Sequence, residues 1–174
     1  MYNNYKILET DRLLIRPMRV TDAVFFLELV NSPKWKKYIG DRKVKTLKDS
    51  EEYIKAKMIP QLERLGYGNN IVIRKEDSTP VASCGLYDRE GLEGIDIGYA
   101  VLPQFEGKGY AFESVSRLKK AAFIDFGIQK INAITLPENT ASKNLLIKLG
   151  FKFQKMVQLP TDPEDLMFFT ASQD

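Results

Sequence analysis

Gln104-Phe105-Glu106-Gly107-Lys108-Gly109-Tyr110-Ala111 is the stretch on which the fold turns. Ahead of it, Ile95-Asp96-Ile97-Gly98-Tyr99-Ala100-Val101-Leu102 is a β-rich apolar run closed by Pro103. Behind it, Ala111, Val115, Leu118, Ala122 and Phe126 recur at helical spacing. The order is strand, short glycine loop, helix. Such a loop turns several backbone N–H groups toward one point at a helix N-terminus, where the dipole also favours negative charge. The expectation is a phosphate or pyrophosphate cradle, set against an ordinary βα turn.

Spacing removes two versions of that cradle. A dinucleotide fingerprint needs Gly or Ala three residues after its second glycine, and position 112 is Phe. A P-loop needs four residues between its glycines and a Ser or Thr directly after Gly-Lys. Here Gly109 follows Lys108, so the magnesium-binding hydroxyl is missing. What remains is Gln-x-x-Gly-x-Gly after a strand.

Composition narrows the chemistry. The 174 residues fit one domain over 1–174, with a hydrophobic share of 44% and a charged share of 28% that suit a globular protein. The net charge of +3 is spread along the chain. Its short basic clusters read as a solvated face rather than a nucleic-acid patch. The single cysteine, Cys84, lies in an apolar run and cannot form an internal disulfide, which fits a reducing compartment and a buried, inert thiol. Histidine is absent, which excludes Ser-His and Cys-His catalysis and argues against a zinc site, so no metal is expected. A general base must then be a carboxylate, a tyrosine or water. The amino-terminal residues carry no apolar signal core and no run has the length of a membrane span, so the chain reads as cytoplasmic.

Along the chain, Leu13 and Ile15 alternate with Arg12, Leu14 and Arg16 in a first strand ended by Pro17. Thr21 is the expected cap of a helix reaching about Val30, with Val20 as its staple residue. The aromatic and basic segment 34–40 shows little periodicity. Thr46-Leu47-Lys48-Asp49 is a capping box that opens a helix with Tyr53, Ile54, Met58, Leu62 and Leu65 on its apolar face, which Pro60 should kink or split. Strands follow at 70–74 and 79–86, making with 95–102 a three-strand meander that feeds the helix after the glycine loop. Lys130 to Leu136 closes a βαβ unit with one parallel pair. Asn139 caps a last helix, with Ala141, Leu145, Leu146 and Leu149 inward and Gly150 at its end. Two further strands lie at 151–153 and 165–170, separated by a polar, Pro-containing turn. The fold class is mixed α/β.

Three separated segments carry a resemblance. They are Glu9-Thr10-Asp11-Arg12-Leu13-Leu14-Ile15-Arg16-Pro17, the run from Gly98-Tyr99 to Gly107-Lys108-Gly109-Tyr110-Ala111, and Glu138-Asn139-Thr140-Ala141-Ser142 followed by Leu149-Gly150-Phe151. In order and spacing the whole chain resembles the GNAT superfamily of N-acetyltransferases, and within it the Rim-type ribosomal-protein branch. The resemblance implies a mostly antiparallel sheet with helices on both faces, whose parallel strands splay apart near Val101 and Thr135. It implies acetyl-CoA as co-substrate, with pantetheine against backbone groups of Ala100, Val101 and Leu102. Gln104 and the loop residues Gly107, Lys108, Gly109, Tyr110 and Ala111 would hold the pyrophosphate, and Asn139 is a further contact or a plain helix cap.

The reaction it implies is direct attack of a primary amine on the thioester. The backbone N–H near Val101 would polarise the carbonyl, and Ser142 would serve the departing thiolate, or else make only a local helix bond. Asp96 is the candidate base, against a surface-facing carboxylate or a water-mediated route, with Glu93 as a second candidate. Trp35 and Tyr38 would line the acceptor pocket, or pack helices on the sheet. The acceptor, a protein N-terminus or a small amine, stays open, as does monomer against homodimer. A non-catalytic acyl-CoA sensor is the alternative function.

Overall fold

A two-residue strand, β1 (Leu8–Glu9), too short to show a period, precedes the strand read from the sequence, β2 (Leu13–Pro17). In the computed structural model, which describes residues 4–173, Leu13 and Ile15 of β2 are fully buried, as their alternation requires. The reading of the extreme amino terminus falls partly on residues 1–3, outside those described.

The first helix starts differently from expectation. A tight turn at Val20–Asp22 leads into α1 (Ala23–Val30), and Thr21 is not the cap. Asp22 takes that place: its carboxylate accepts the Arg19 N–H at 2.8 Å and grips Arg16 with two bonds of 2.7 and 2.8 Å. The segment that showed no period contains a helix, α2 (Pro33–Tyr38). Six residues are too few to display a repeat, and the proline that stops α1 suits the first turn of the next helix. The capping box holds: Asp49 N–H donates to Thr46 Oγ1 at 3.1 Å and Thr46 N–H to Asp49 Oδ2 at 2.8 Å, opening α3 (Leu47–Tyr53). Pro60 does not break the chain there. Residues Ile54–Met58 widen into a π turn and run on into α4 (Ile59–Leu65). The wider turn absorbs the missing N–H and the ring that would crowd a regular helix.

β3 (Asn69–Arg74), β4 (Thr79–Asp88) and β5 (Ile95–Val101) form the antiparallel meander, with β4 running two residues past the expected end. After the glycine loop come α5 (Tyr110–Ile124), β6 (Lys130–Thr135) and α6 (Thr140–Lys148). Leu146 and Leu149 of the last helical segment are buried, but Ala141, expected inward, is exposed. The closing hairpin, β7 (Lys152–Leu159) and β8 (Asp162–Ser172), is much longer than the two short runs read from the sequence. β7 lies at the sheet edge and is exposed along most of its length, so it carries no buried alternation to read.

The sheet order is β1-β2-β3-β4-β5-β6-β8-β7, antiparallel except for β5 with β6. Its two faces carry separate clusters. Leu13, Ile15, Val72, Ile97 and Ile131 pack with Val115 and Leu118 of α5 and Leu146 of α6. Ile71 on the opposite face packs with Phe26 and Leu29 of α1 and Ile54 of the π turn. Among the described residues no helix is long and apolar enough to cross a membrane.

The parallel pair decides where the site lies. Only Ile95↔Ile131 and Asp96↔Asn132 are in register, although both strands continue beyond them. Past Asp96 and Asn132 the strands part and open a gap in the middle of the sheet.

Candidate active site

A cavity of about 910 Å³ runs through that gap. The rest of β5 and β6 line it, together with the glycine loop and the first turns of α5 and α6. On the opposite side α2, the π turn and the tip of the β7–β8 hairpin complete the wall. It brings together Trp35, Tyr38, Asp96, Ala100, Val101, Gly107, Gly109, Tyr110, Ala111, Asn139 and Ser142. Leu102, Gln104 and Lys108 are not among its lining residues.

The backbone explains part of this sorting. Leu102 N–H donates to Val81 O at 3.0 Å, and its carbonyl accepts the Phe105 N–H at 2.9 Å, so both groups are engaged within the protein. The same ladder turns the backbone groups of Ala100 toward Ser83 of β4. Val101 lies between them in the alternation, so its N–H and C=O point away from β4, toward the gap that β6 has left. Of these three residues, Ala100 and Val101 line the cavity, and Val101 is the one whose backbone groups face the gap. The Gln104 amide donates to Glu28 Oε1 on α1 at 3.0 Å. Lys108 extends its ammonium over the Phe105 ring, 5.4 Å from the centroid.

The loop itself has the form of an anion cradle. Gly107 and Gly109 sit at φ +72° and +82°, a region that L side chains rarely adopt. The N–H groups of Gly107, Lys108 and Gly109 have no protein acceptor among the described residues. The first-turn amides of Tyr110 and Ala111 are left open by helix geometry. These donors at the head of the fifteen-residue α5 suit a pyrophosphate. Lys34 of α2 pairs with Glu106 and ties the loop to the opposite wall.

On the α5 face of the gap, Tyr99 and Ser142 line the cavity together, and burial raises the Tyr99 phenol above its ordinary range while the nearby Ser142 acts in the opposite direction. Asn139 is the N-cap of α6, its Oδ1 accepting Ser142 N–H at 3.2 Å. That geometry leaves the Ser142 hydroxyl free of the capping job.

Asp96 belongs to the other face, with Gly98 and Ala100, as strand parity required. It does not face solvent: its exposure is 1%, and Arg89 holds it at 3.2 Å. Burial raises its carboxyl, and Arg89 pulls in the opposite direction. Beside it, Gly85 and Gly98 face each other across β4 and β5 and leave a trough for the Tyr87 ring, whose hydroxyl donates to Asn69 Oδ1 at 2.7 Å. Glu93, the second carboxylate considered, is exposed and does not line the cavity; its carbonyl accepts from Asn132 at 2.7 Å.

Trp35 and Tyr38 line the cavity, and Trp35 also packs edge-on to Phe26. The buried Trp35 Nε1–H has no hydrogen-bond partner among the described residues. An unmade bond of that kind costs about 1–3 kcal/mol.

Tyr87, Arg89 and Tyr99 are cavity residues that sequence reasoning passed over. Parity along β5 sets Tyr99 opposite Asp96, but what it faces there needs α6 in place. Arg89 lies between the strands read at 79–86 and 95–102, where no periodicity marks it.

A family model described as acetyltransferase (GNAT) domain matches residues 12–152. The chain is 30% identical over 154 residues to the uncharacterized N-acetyltransferase p20 of Bacillus licheniformis, covering 87% of this chain and 85% of that protein. It is 26% identical over 149 residues to the uncharacterized N-acetyltransferase YoaA of Bacillus subtilis strain 168, covering 85% and 84%. The ribosomal-protein-S5-alanine acetyltransferase of Vibrio fischeri shares the fold, with a TM-score of 0.80 at 17% identity over 97% of each chain. The open parallel pair, the glycine loop at its mouth and these matches agree: the chain belongs to the GNAT family of acetyltransferases and is an acyltransferase.

Proposed function

We propose that the protein moves an acetyl group from acetyl-CoA to a primary amine by direct attack on the thioester. The observation that carries the reading is the gap between β5 and β6, onto which the unpaired loop amides, the Val101 N–H, Tyr99 and Ser142 converge. Acetyl-CoA supplies the activated acyl group. The amides of Gly107, Lys108, Gly109, Tyr110 and Ala111 hold its pyrophosphate, and Asn139 stands beside the pantetheine arm. Val101 N–H is the donor available to an oxygen on which negative charge develops. Ser142, with Tyr99 lining the same cavity, serves the departing thiolate from the α5 side.

The acceptor enters from the other face, along Trp35 and Tyr38. Asp96, raised by burial, takes the proton from the amine directly or through a water. Arg89 fixes its orientation. The unpartnered Trp35 N–H offers a bond to an oxygen of the acceptor. The S5-alanine acetyltransferase of Vibrio fischeri is named for a protein substrate, which puts peptide N-termini beside small amines as acceptors to test.

Incubation with acetyl-CoA and a panel of N-terminal peptides and small amines tests this, with free thiol and acetylated product followed together. We expect thiol release matched by product for one acceptor class. Tight CoA binding with no product across the panel would overturn acetyl transfer.

A further inference from the structure

Thr10 and Arg12 take no part in the chemistry above, yet both reach the first turn of α5, 103 and 101 residues further along the chain. Thr10 Oγ1 donates to Glu113 Oε1 at 2.5 Å, and the Arg12 backbone N–H donates to the same oxygen at 3.2 Å. Arg12 Nε and Nη2 close on Glu113 Oε2 at 2.7 and 2.6 Å. The guanidinium lies over the Tyr110 ring, 4.7 Å from the centroid, and its Nη1 donates to Lys108 O at 3.0 Å.

That last bond bears on the cradle. Across a trans peptide the carbonyl and the following N–H point in opposite directions. Holding the Lys108 carbonyl outward on Arg12 therefore turns the Gly109 N–H inward, toward the cavity that Gly109 lines. Gly109 itself would allow the plane to turn over, since glycine tolerates both signs of φ. Glu113 neutralises Arg12, so the guanidinium acts on this plane rather than as a charge offered to a phosphate.

We propose that Arg12, locked by Glu113 and Thr10, is a positioning residue that fixes the Lys108–Gly109 peptide plane and so sets the affinity of the loop for the CoA pyrophosphate. This rests on the acetyl-CoA reading of the loop. Preorganised donors bind without first having to be ordered, and loss of the latch exposes that ordering cost.

CoA binding to the full chain, measured by titration calorimetry for wild type, Arg12→Lys, Arg12→Gln, Glu113→Gln and the Arg12→Gln/Glu113→Gln double variant, tests it. Each single change should weaken CoA about tenfold by undoing preorganisation, and the double variant should be no weaker than its weaker parent. In the CoA-free protein, the Gly109 amide resonance should shift and broaden in Arg12→Lys as its peptide plane is released, while protection in the core strands is unchanged. Arg12→Lys keeps the charge, so it separates geometry from attraction and remains informative if Arg12→Gln fails to fold. Wild-type affinity in Arg12→Lys, or additive losses in the double variant, would overturn the latch while leaving the pyrophosphate reading in place. A wild type that binds no CoA overturns both.

Discussion

Ser142 and Asp96 stand on opposite faces of the gap, and each has its own signature. Ser142→Ala should lower kcat about tenfold or more with acetyl-CoA KM little changed, because an interaction that matters mainly as the thiolate departs shows in kcat. Steady-state kinetics with the acceptor found by the panel checks this; unchanged kcat would return Ser142 to a local helix bond. For Asp96 the sign follows from its direction of shift. Burial raises the carboxyl against the pull of Arg89, and only the ionised form accepts a proton. The rate should therefore fall as pH drops, with a midpoint above the ordinary aspartate value of about 3.9. Asp96→Asn should lose about 100-fold in kcat and remove that acid limb. If the limb persists, the base is elsewhere. Cys84 stays outside the chemistry: it is fully buried, and burial pushes its thiol up to about 12.

Within the sheet, the Gly85↔Gly98 pair does what no side chain could. An added Cβ at Gly85 would lie 2.5 Å from Tyr87 Oη and 2.9 Å from the backbone oxygen of Gly68. Tyr87 can rotate away, but the Gly68 carbonyl, which accepts the Leu86 N–H at 3.2 Å, moves only with the backbone entering β3. Gly85→Ala should thus destabilise the fold by about 1–3 kcal/mol, the usual scale for overpacking. A urea midpoint unchanged from wild type would mean that the sheet absorbs the methyl. The capping box of α3 and the cap of α6 were legible because both depend on residues three apart in sequence. The π turn was not, since Pro60 states that a regular helix is impossible without stating how the chain will yield.

Across the whole molecule, the first strand and the head of α5 are joined through Glu113. Burial would raise its carboxyl, but the bonds from Thr10 and Arg12 outweigh this and hold it below the ordinary range. The stability it contributes is present above the unfolded glutamate value of about 4.3 and is lost as pH falls through the lower folded value. The gap in urea midpoint between wild type and Glu113→Gln should be full near pH 7 and close as the pH falls below the ordinary glutamate range. A gap that does not narrow on acidification would show that Glu113 acts by packing alone. By itself the sequence determined the order of elements, the βαβ unit and the glycine loop at its turn, because periodicity, caps and turn residues act over a few neighbouring positions. Only the tertiary structure decided which candidates meet. It released β5 from β6 after two residue pairs, engaged both backbone groups of Leu102, drew Gln104 to Glu28 and buried Asp96 against Arg89. Each of those outcomes depends on a partner far away in sequence, and local pattern carries no record of where such a partner will lie.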